Sequence, residues 1–446
     1  MRRKFLAVLI VVFAVLMLVF CVTACKDNGK VEFDPERITE MYINTDGELI
    51  LVLDDGTRIN CGSFSGEGSG TFDPEYIVDS YIDNNGNLII VFKDGKEIQY
   101  GKIRDERTTY LYTEVREEDT VVGYALRGLL AESSLDIVIP SSFRGLPVVE
   151  IMDGAFYMND RIVSVTIPDT VKKIGAWAFE ECTALKNVDF GNGVTEIGIS
   201  AFCGCTSLTK IALPDSIRII DESAFTLCSS VTEVTLNLNG VLEVIGDAAF
   251  AGCSKIESFI MPDSVTYMGW GAFMQCTSLK LMALSNNLTE IDDYAFSECT
   301  KLSTLTFGVD SKVTRIGRAA FDRCAIEEVV IPAYVYEIGA TAFYKCTKLK
   351  KVTLNDSLLK LGDGVFSGCK VLEEITIPFF VNYIGVEAFK DCSKLKSVTF
   401  ENPDNWKVYS DPDGIGVAIS NLQLSNSSFA SDYLTGTHVS RYWKRG

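Results

Sequence analysis

The chain has 446 residues, of which 47% are hydrophobic and 11% aromatic, and its formal net charge is −19. That hydrophobic content is ample for a continuous core, so the composition argues against a disordered chain. The acidic balance, with no basic cluster to offset it, argues against binding to nucleic acid or to an anionic lipid surface.

The N-terminus has the pattern of a targeting segment. Arg2, Arg3 and Lys4 precede an uninterrupted apolar run over residues 5–20, and small residues lead up to Cys25. This pattern predicts a secretory signal peptide over residues 1–24. An uncleaved transmembrane helix is the alternative, because the apolar run is long for a signal. Both interpretations place the bulk of the protein outside the membrane.

The junction Val22-Thr23-Ala24-Cys25 resembles the lipobox of bacterial lipoproteins. The resemblance implies that the Cys25 thiol is joined to diacylglycerol and that cleavage then makes this cysteine the first residue. Residues 25–30 would form a polar tether. Because burial of lipid contributes about 0.8 kcal/mol per CH₂, two or more acyl chains would anchor the protein almost permanently. We expect a location on the outer face of the bacterial cell membrane.

Residues 31–104 contain a short internal repeat. The segment Phe33-Asp34-Pro35-Glu36 recurs as Phe72-Asp73-Pro74-Glu75, and the following apolar runs stay in register. These runs are divided by Asp-Gly and Asn-Gly pairs, which tolerate the positive φ of hairpin turns. The pattern predicts two β-hairpin-type repeat units, each of about three short antiparallel strands.

A longer pattern, Ile-Gly-x-x-Ala-Phe-x-x-Cys, recurs along residues 151–400 at intervals of 22 to 25 residues. A fixed period in this range predicts a solenoid in which each repeat is one turn stacked on the last. We expect about 11–12 turns of ~23 residues, with residues 105–150 forming the N-terminal cap and first turn. The repeat phenylalanines are Phe156, Phe179, Phe202, Phe225, Phe250, Phe273, Phe296, Phe321, Phe343, Phe366 and Phe389.

Each fixed position of the repeat has a physical reason. A following Leu-x-x-Val-x-Ile segment alternates as a strand buried on one face does, and successive copies predict a parallel sheet. Prolines such as Pro168 and Pro332 end these strands, because proline cannot donate to a ladder. The repeat glycine indicates either a positive φ or a close backbone approach. The phenylalanines predict a stacked apolar spine, and residues 401–446, which break the pattern, predict a C-terminal cap.

The sequence resembles the BspA-like leucine-rich repeat proteins of bacterial surfaces over about residues 110–446. The resemblance rests on the repeat, on the entry segment Ile139-Pro140-Ser141-Ser142-Phe143-Arg144-Gly145-Leu146-Pro147-Val148 and on the ending Tyr442-Trp443-Lys444-Arg445. It implies a leucine-rich repeat solenoid, mainly β, and a binding or adhesion role at the cell surface.

Ten of the 14 cysteines occur three residues after a repeat phenylalanine. One interpretation is a staircase of disulfides between neighbouring turns. The favoured one is a column of small buried side chains, because all ten would point the same way whereas a bridge needs converging Cβ vectors. Cys203 lies outside this column and is the solenoid thiol expected to be reactive. The ten are Cys182, Cys205, Cys228, Cys253, Cys276, Cys299, Cys324, Cys346, Cys369 and Cys392.

The sequence offers little for catalysis. His438 is the single histidine, which excludes histidine-dependent triads and histidine-rich metal sites from most of the chain. The sequence contains no glycine-rich phosphate loop and no cysteine pair with zinc spacing. We therefore predict a protein that is not an enzyme, with no catalytic residue, no metal and no cofactor.

Two surfaces are candidates for binding. The outward strand positions are rich in threonine, which is also explained by β-propensity alone. The second candidate is a set of aromatic residues on the loops after the strands, which we call the aromatic patch. Massed aromatics on a rim often anchor protein or glycan ligands, although corner packing would explain some of them. The aromatic patch consists of Tyr334, Tyr336, Phe379, Phe380 and Tyr383.

Together these features predict a lipid-anchored surface binding protein or adhesin, without catalytic activity, that presents its repeats to a protein or glycan partner. The alternative is a passive structural or spacer protein of the cell envelope.

Overall fold

A computed structural model describes the strand backbones between residues 38 and 102 and, with side chains, residues 110–117, 120–129, 136–411 and 413–446. The chain divides into two compact units. One extends to residue 110 and includes residues 142–147, and the other comprises residues 111–141 and 148–446. The predicted signal peptide and tether lie outside the described residues.

The first unit contains two three-stranded antiparallel sheets, in the orders β1-β2-β3 and β4-β5-β6. Ile43 pairs with Leu49 in one sheet, and Ile82 pairs with Leu88 at the same place in the other. The two antiparallel β-repeat units predicted from the Asp-Gly and Asn-Gly signals are confirmed. The strands are β1 (Ile38–Ile43), β2 (Glu48–Leu53), β3 (Arg58–Ser63), β4 (Ile77–Ile82), β5 (Asn87–Phe92) and β6 (Glu97–Lys102).

Five strands lead into the solenoid. They are β7 (Tyr110–Glu117), β8 (Thr120–Leu129), β9 (Asp136–Val138), β10 (Ser142–Phe143) and β11 (Leu146–Ile151). Strand β8 pairs in parallel with β11, which makes it the first rung of a column that continues through the repeats. Strand β9 begins a second column.

The Leu-x-x-Val-x-Ile segments form the predicted parallel strands. They pair in register as β9-β12-β14, β16-β18, β20-β22-β24, β26-β28 and β30-β32, so this face consists of five short sheets. The strands are β12 (Ser164–Thr166), β14 (Asn187–Asp189), β16 (Lys210–Ala212), β18 (Glu233–Thr235), β20 (Ser258–Ile260), β22 (Leu281–Ala283), β24 (Thr304–Thr306), β26 (Glu328–Val330), β28 (Lys351–Thr353), β30 (Glu374–Ile377) and β32 (Ser397–Phe400).

The column that begins with β8 and β11 lies just before the repeat glycine in each turn. Its two-residue strands are too short for the sequence alternation to predict. They pair continuously from β11 to β21 and from β23 to β31. The strands are β13 (Lys173–Ile174), β15 (Glu196–Ile197), β17 (Ile219–Ile220), β19 (Val244–Ile245), β21 (Tyr267–Met268), β23 (Glu290–Ile291), β25 (Arg315–Ile316), β27 (Glu337–Ile338), β29 (Lys360–Leu361) and β31 (Tyr383–Ile384).

The repeat phenylalanines form a single stack from Phe156 to Phe389, which we call the phenylalanine ladder. Neighbouring ring centroids are 4.8–5.6 Å apart, and the ring planes diverge by 5–27°. Each ring is at most 3% exposed. The predicted apolar spine is confirmed.

Backbone conformation holds each ladder residue in place. The residues two before and two after every phenylalanine of the ladder have positive φ, as Trp177 and Glu181 do around Phe179. This conformation aims the phenylalanine N–H at the next turn: the Phe179 N–H donates to the Ala201 carbonyl at 2.7 Å. The same bond recurs in each turn from Phe156 to Phe366 at 2.7–2.9 Å. Non-glycine residues rarely adopt positive φ, so the inter-turn contacts must offset this strain.

The repeat cysteines add a second hydrogen bond between successive turns. Each of the ten thiols donates to the carbonyl of the phenylalanine one turn earlier, with S···O distances of 3.1–3.2 Å. All ten side chains are at most 2% exposed and are free thiols. The predicted column of small buried side chains is confirmed, and since every thiol points at a carbonyl, the side chains run parallel and do not converge.

The repeat glycine is required because the backbone of the preceding turn packs closely against it, and its φ is not positive. A Cβ on Gly175 would lie 2.5 Å from both the N and the Oδ1 atoms of Asp153. Asp153 needs this room because its Oδ1 atom accepts the Ala176 N–H at 2.7 Å. We call this contact, in which an aspartate packs against the repeat glycine of the next turn and accepts the following N–H, the aspartate bracket. Asp247 forms it too: its Oδ1 accepts the Trp270 N–H at 2.9 Å beside Gly269.

The last segment pairs with the final turn. Strand β35 (Tyr442–Arg445) runs antiparallel to β31 and to β33 (Trp406–Tyr409), and β34 (Val417–Ala418) pairs with β33. Trp406 and Trp443 are 1% exposed and pack against Phe400. The intervening elements are α1 (Asn421–Leu424), α2 (Ser427–Asp432) and a π-helical turn (Tyr433–Thr437). Among the described residues, no helix has the length and apolar character needed to cross a bilayer.

We expect Gly175→Ala to lower the free energy of unfolding by about 1–3 kcal/mol, because the new methyl group overlaps Asp153. Chemical denaturation of the purified protein measures this change. Gly436→Ala is the matched control, since a Cβ there meets no atom within 4 Å. Equal stability of the two variants would contradict the bracket.

Truncation of the phenylalanine ladder should cost more in its middle than at its end. Phe273 stacks between Phe250 and Phe296, at 5.3 and 5.6 Å, whereas Phe156 stacks only on Phe179. We expect Phe273→Ala to lower the free energy of unfolding by about 3–5 kcal/mol. Phe156→Ala, measured in the same denaturation experiment, should lower it less. The reverse order would argue against the stack as the main inter-turn contact.

Candidate binding surface

The aromatic patch lies at the C-terminal end of the solenoid, on loops that two prolines begin. Pro332 follows β26 and leads into Tyr334 and Tyr336, and Pro378 follows β30 and leads into Phe379 and Phe380. Because proline ends the strand, the residues after it turn away from the sheet. The fifth member of the patch, Tyr383, lies in β31.

The members of the aromatic patch differ in exposure. Tyr334 is 65% exposed, Phe380 55%, Phe379 49% and Tyr336 43%, whereas Tyr383 is half-buried. Surface aromatics with this exposure are candidates for anchors of a partner.

The patch divides into two parts. Phe379 and Phe380 contact each other edge to face, with ring centroids 5.2 Å apart. Tyr336 belongs to a turn two repeats earlier: its carbonyl accepts the Leu359 N–H, and the Leu359 carbonyl accepts the Asn382 N–H. The structure therefore brings the two phenylalanines together and leaves one turn between them and the pair of tyrosines.

The C-terminal strand adds a cation to the patch. The Arg445 guanidinium lies 5.7 Å from the ring centroid of Phe379, and its Nη1 atom donates to the Phe379 carbonyl at 2.7 Å. The Arg445 N–H also donates to Asn382. No local sequence signal indicates this contact, since Arg445 is 66 residues from Phe379 in the chain.

Tyr383 packs against its own chain and is less available to a partner than the other members of the patch. Burial, with smaller contributions from Asp363 and Tyr442, raises the pKa of its hydroxyl to about 12. The Lys360 ammonium lies 5.7 Å from its ring centroid and also pairs with Glu337 at 2.7 Å. We infer that Tyr334, Phe379 and Phe380 are the members best placed to contact a partner, with the cation of Arg445 beside Phe379.

The outward strand positions are exposed, as the alternation predicts, except for the half-buried Ala283. They are mostly threonine, and the apolar exceptions Ile260 and Val330 are 51% and 68% exposed. They lie three turns apart and form no continuous apolar surface of their own.

Cys203 is more accessible than the column of repeat cysteines, but its thiol is not activated. Burial, and then the carboxylates of Glu180 and Glu181, raise its pKa to about 11. Since the thiolate is the nucleophile, the expected reactivity is suppressed at neutral pH. The lipidation candidate Cys25 lies outside the described residues.

The described residues contain no group of three or more His, Cys, Asp or Glu side chains that could hold a metal ion. His438 packs in the cap against Tyr433 and Trp443, at 5.0 and 6.1 Å between ring centroids. Burial, and then Arg441, lower the pKa of its imidazole. This environment favours a neutral, packed histidine.

A family model described as a BspA-type leucine-rich repeat region, with six copies, matches residues 149–280, 235–347 and 314–410. No curated protein matches the sequence.

The solved structures that are similar to this chain include the following three. A leucine-rich repeat protein from Bacteroides ovatus is 26% identical, with a TM-score of 0.48, over 66% of this chain and 87% of that one. A leucine-rich cell surface protein from Faecalibacterium prausnitzii is 24% identical, with a TM-score of 0.37, over 73% and 95%. The pneumococcal vaccine antigen PcpA is 22% identical, with a TM-score of 0.48, over 67% and 81%.

The environment of Cys203 predicts how its alkylation depends on pH. With a pKa of about 11, the reaction with iodoacetamide should accelerate about tenfold per pH unit from pH 7 to pH 10. Mass spectrometry of peptides after timed alkylation follows each cysteine separately. Cys205 and Cys228, both fully buried, are the controls and should stay unmodified in the folded protein. A rate at Cys203 that is already maximal at pH 8 would contradict this environment.

Proposed function

Because the chain belongs to the BspA-type leucine-rich repeat family, we propose that it is a non-catalytic binding protein displayed on a bacterial cell surface. The aromatic patch is the observation that carries the proposal. Arg445 lies beside the exposed Phe379 ring and Lys360 beside the half-buried Tyr383 ring, on a protein of net charge −19. Such a site suits a protein or glycan partner that offers apolar surface together with carboxylate or hydroxyl oxygens.

The solenoid suits this role for a physical reason. Each turn contacts only its neighbours, so surface residues vary without disturbing the interior. The phenylalanine ladder and the cysteine column hold loops from different turns at fixed spacing. A partner can thereby contact Tyr334 and Phe380 at once, although they are 46 residues apart in the sequence.

The N-terminal sequence supports a lipid anchor at Cys25. A signal peptide followed by the Val22-Thr23-Ala24-Cys25 junction would attach the protein to the outer face of the membrane through acyl chains. Residues 25–30 would then form a polar tether after the lipidated cysteine. Metabolic labelling with a radioactive fatty acid, compared between the natural protein and Cys25→Ser, tests this anchor.

We expect the double variant Tyr334→Ala, Phe380→Ala to lose at least about tenfold in affinity for its partner, because exposed aromatic anchors carry most of the energy of such contacts. The partner is first found by screening the purified protein against arrays of glycans and of extracellular matrix proteins at physiological salt. Binding of both proteins to that partner is then measured by calorimetry.

Phe429→Ala is the matched control, because Phe429 is 54% exposed but lies in α2, outside the aromatic patch. Both variants should keep the melting temperature of the natural protein. Unchanged affinity of the double variant would overturn the role of the patch. No saturable partner on either array, with the protein shown to be folded, would favour a structural or spacer role instead.

A further inference from the structure

A second group of aromatic residues lies in the middle of the solenoid. Tyr267 occupies the outward position of β21, and Trp270 follows it on the same turn. The two side chains are 47% and 41% exposed. Tyr294 on the next turn contacts Trp270, with ring centroids 5.6 Å apart and planes inclined by 53°. With Asp247, these residues form what we call the acidic aromatic cluster.

Asp247 holds this cluster together. Its Oδ1 atom accepts the Trp270 N–H at 2.9 Å and the Tyr267 hydroxyl at 3.3 Å. Both bonds use the same oxygen, and Asp247 forms no ion pair among the described residues. The carboxylate therefore keeps its charge uncompensated beside two exposed rings.

Two cations of the turns that follow the cluster are already engaged. Arg315 pairs with Glu290 at 2.9 Å, with Asp293 at 3.3 Å and with Asp292 at 3.5 Å. Arg318 lies over the ring of Tyr294, 5.9 Å from its centroid. Arg315 is thus shared among three carboxylates, and neither guanidinium pairs with Asp247.

Some rings elsewhere in the solenoid contact a cation from the chain itself. Lys345 lies over Tyr344, Lys360 over Tyr383 and Arg445 over Phe379. In the described part of the chain, no Lys or Arg side chain lies over Tyr267 or Trp270. The face of an aromatic ring attracts cations, and that of tryptophan does so most strongly. The faces of these two rings are therefore available to a cation from outside the chain.

We propose that Tyr267, Trp270 and Asp247 bind a lysine or arginine side chain from a basic segment of a protein partner. The rings provide cation–π contact and the carboxylate provides the opposite charge, so the site is complementary to a cation in both respects. This site lies on different turns from the aromatic patch, and its ligand differs in charge. The two proposals therefore stand or fall separately.

The test titrates the full chain with a tri-lysine peptide blocked at both ends, followed by calorimetry at low and at physiological salt. We expect saturable binding that weakens as salt screens the charges. Trp270→Ala should reduce the affinity by about tenfold, since the tryptophan face is the strongest cation–π acceptor. Asp247→Asn keeps an oxygen to accept the Trp270 N–H but removes the charge, and should reduce the affinity about fivefold.

Trp177→Ala is the matched control, because Trp177 is 46% exposed and its N–H is bonded to the Ile199 carbonyl, not to a carboxylate. This variant should bind tri-lysine as the natural protein does, and so should the double variant Tyr334→Ala, Phe380→Ala. Thermal denaturation confirms that each variant is folded.

Three results would overturn the proposal: no binding of tri-lysine, unchanged binding by Trp270→Ala, or equal binding of a blocked tri-serine peptide. Competition by neutral maltotriose would also overturn it and would identify the cluster as a carbohydrate site. Loss of tri-lysine binding in the variant of the aromatic patch would place the cation there instead.

Discussion

The contact on which the solenoid depends is the stack of one phenylalanine per turn. Neighbouring ring centroids lie 4.8–5.6 Å apart, which is close to the spacing of hydrogen-bonded strands. The ring stack and the backbone pairing therefore favour the same distance between successive turns. The same residue donates its N–H to the next turn and accepts a cysteine thiol from it. Three interactions at one position thereby fix both the distance and the register between turns.

This constraint explains where the repeat tolerates change. The two intervals of 25 residues place their extra residues in the loops after β18 and β24, away from the phenylalanine ladder. These loops close as tight turns, with the Gly240 N–H bonded to the Asn237 carbonyl and the Ser311 N–H to the Gly308 carbonyl. Val309 in the second loop is 99% exposed. Loops can therefore vary in length and composition while the interior remains in register.

The surfaces of the solenoid follow from the same register. Residues one repeat apart become neighbours, which is why Trp270 meets Tyr294 and why Arg315 meets Glu290. Turns of different composition then give one scaffold surfaces of different charge. The aromatic patch lies beside Lys360 and Arg445, whereas the acidic aromatic cluster is built around Asp247.

Local patterns that recur along the chain were enough to predict the period, the buried phenylalanines and cysteines, the parallel strands and the two N-terminal antiparallel units. Features that depend on contact between turns became visible only in the folded chain. The left-handed residues around Phe179 share no residue type, and the two-residue strands are too short for an alternation to predict. The contact of Asp153 over Gly175 depends on the turn that stacks against it. Arg445 reaches Phe379 only because β35 pairs with β31, a contact that long-range pairing decides and local sequence does not.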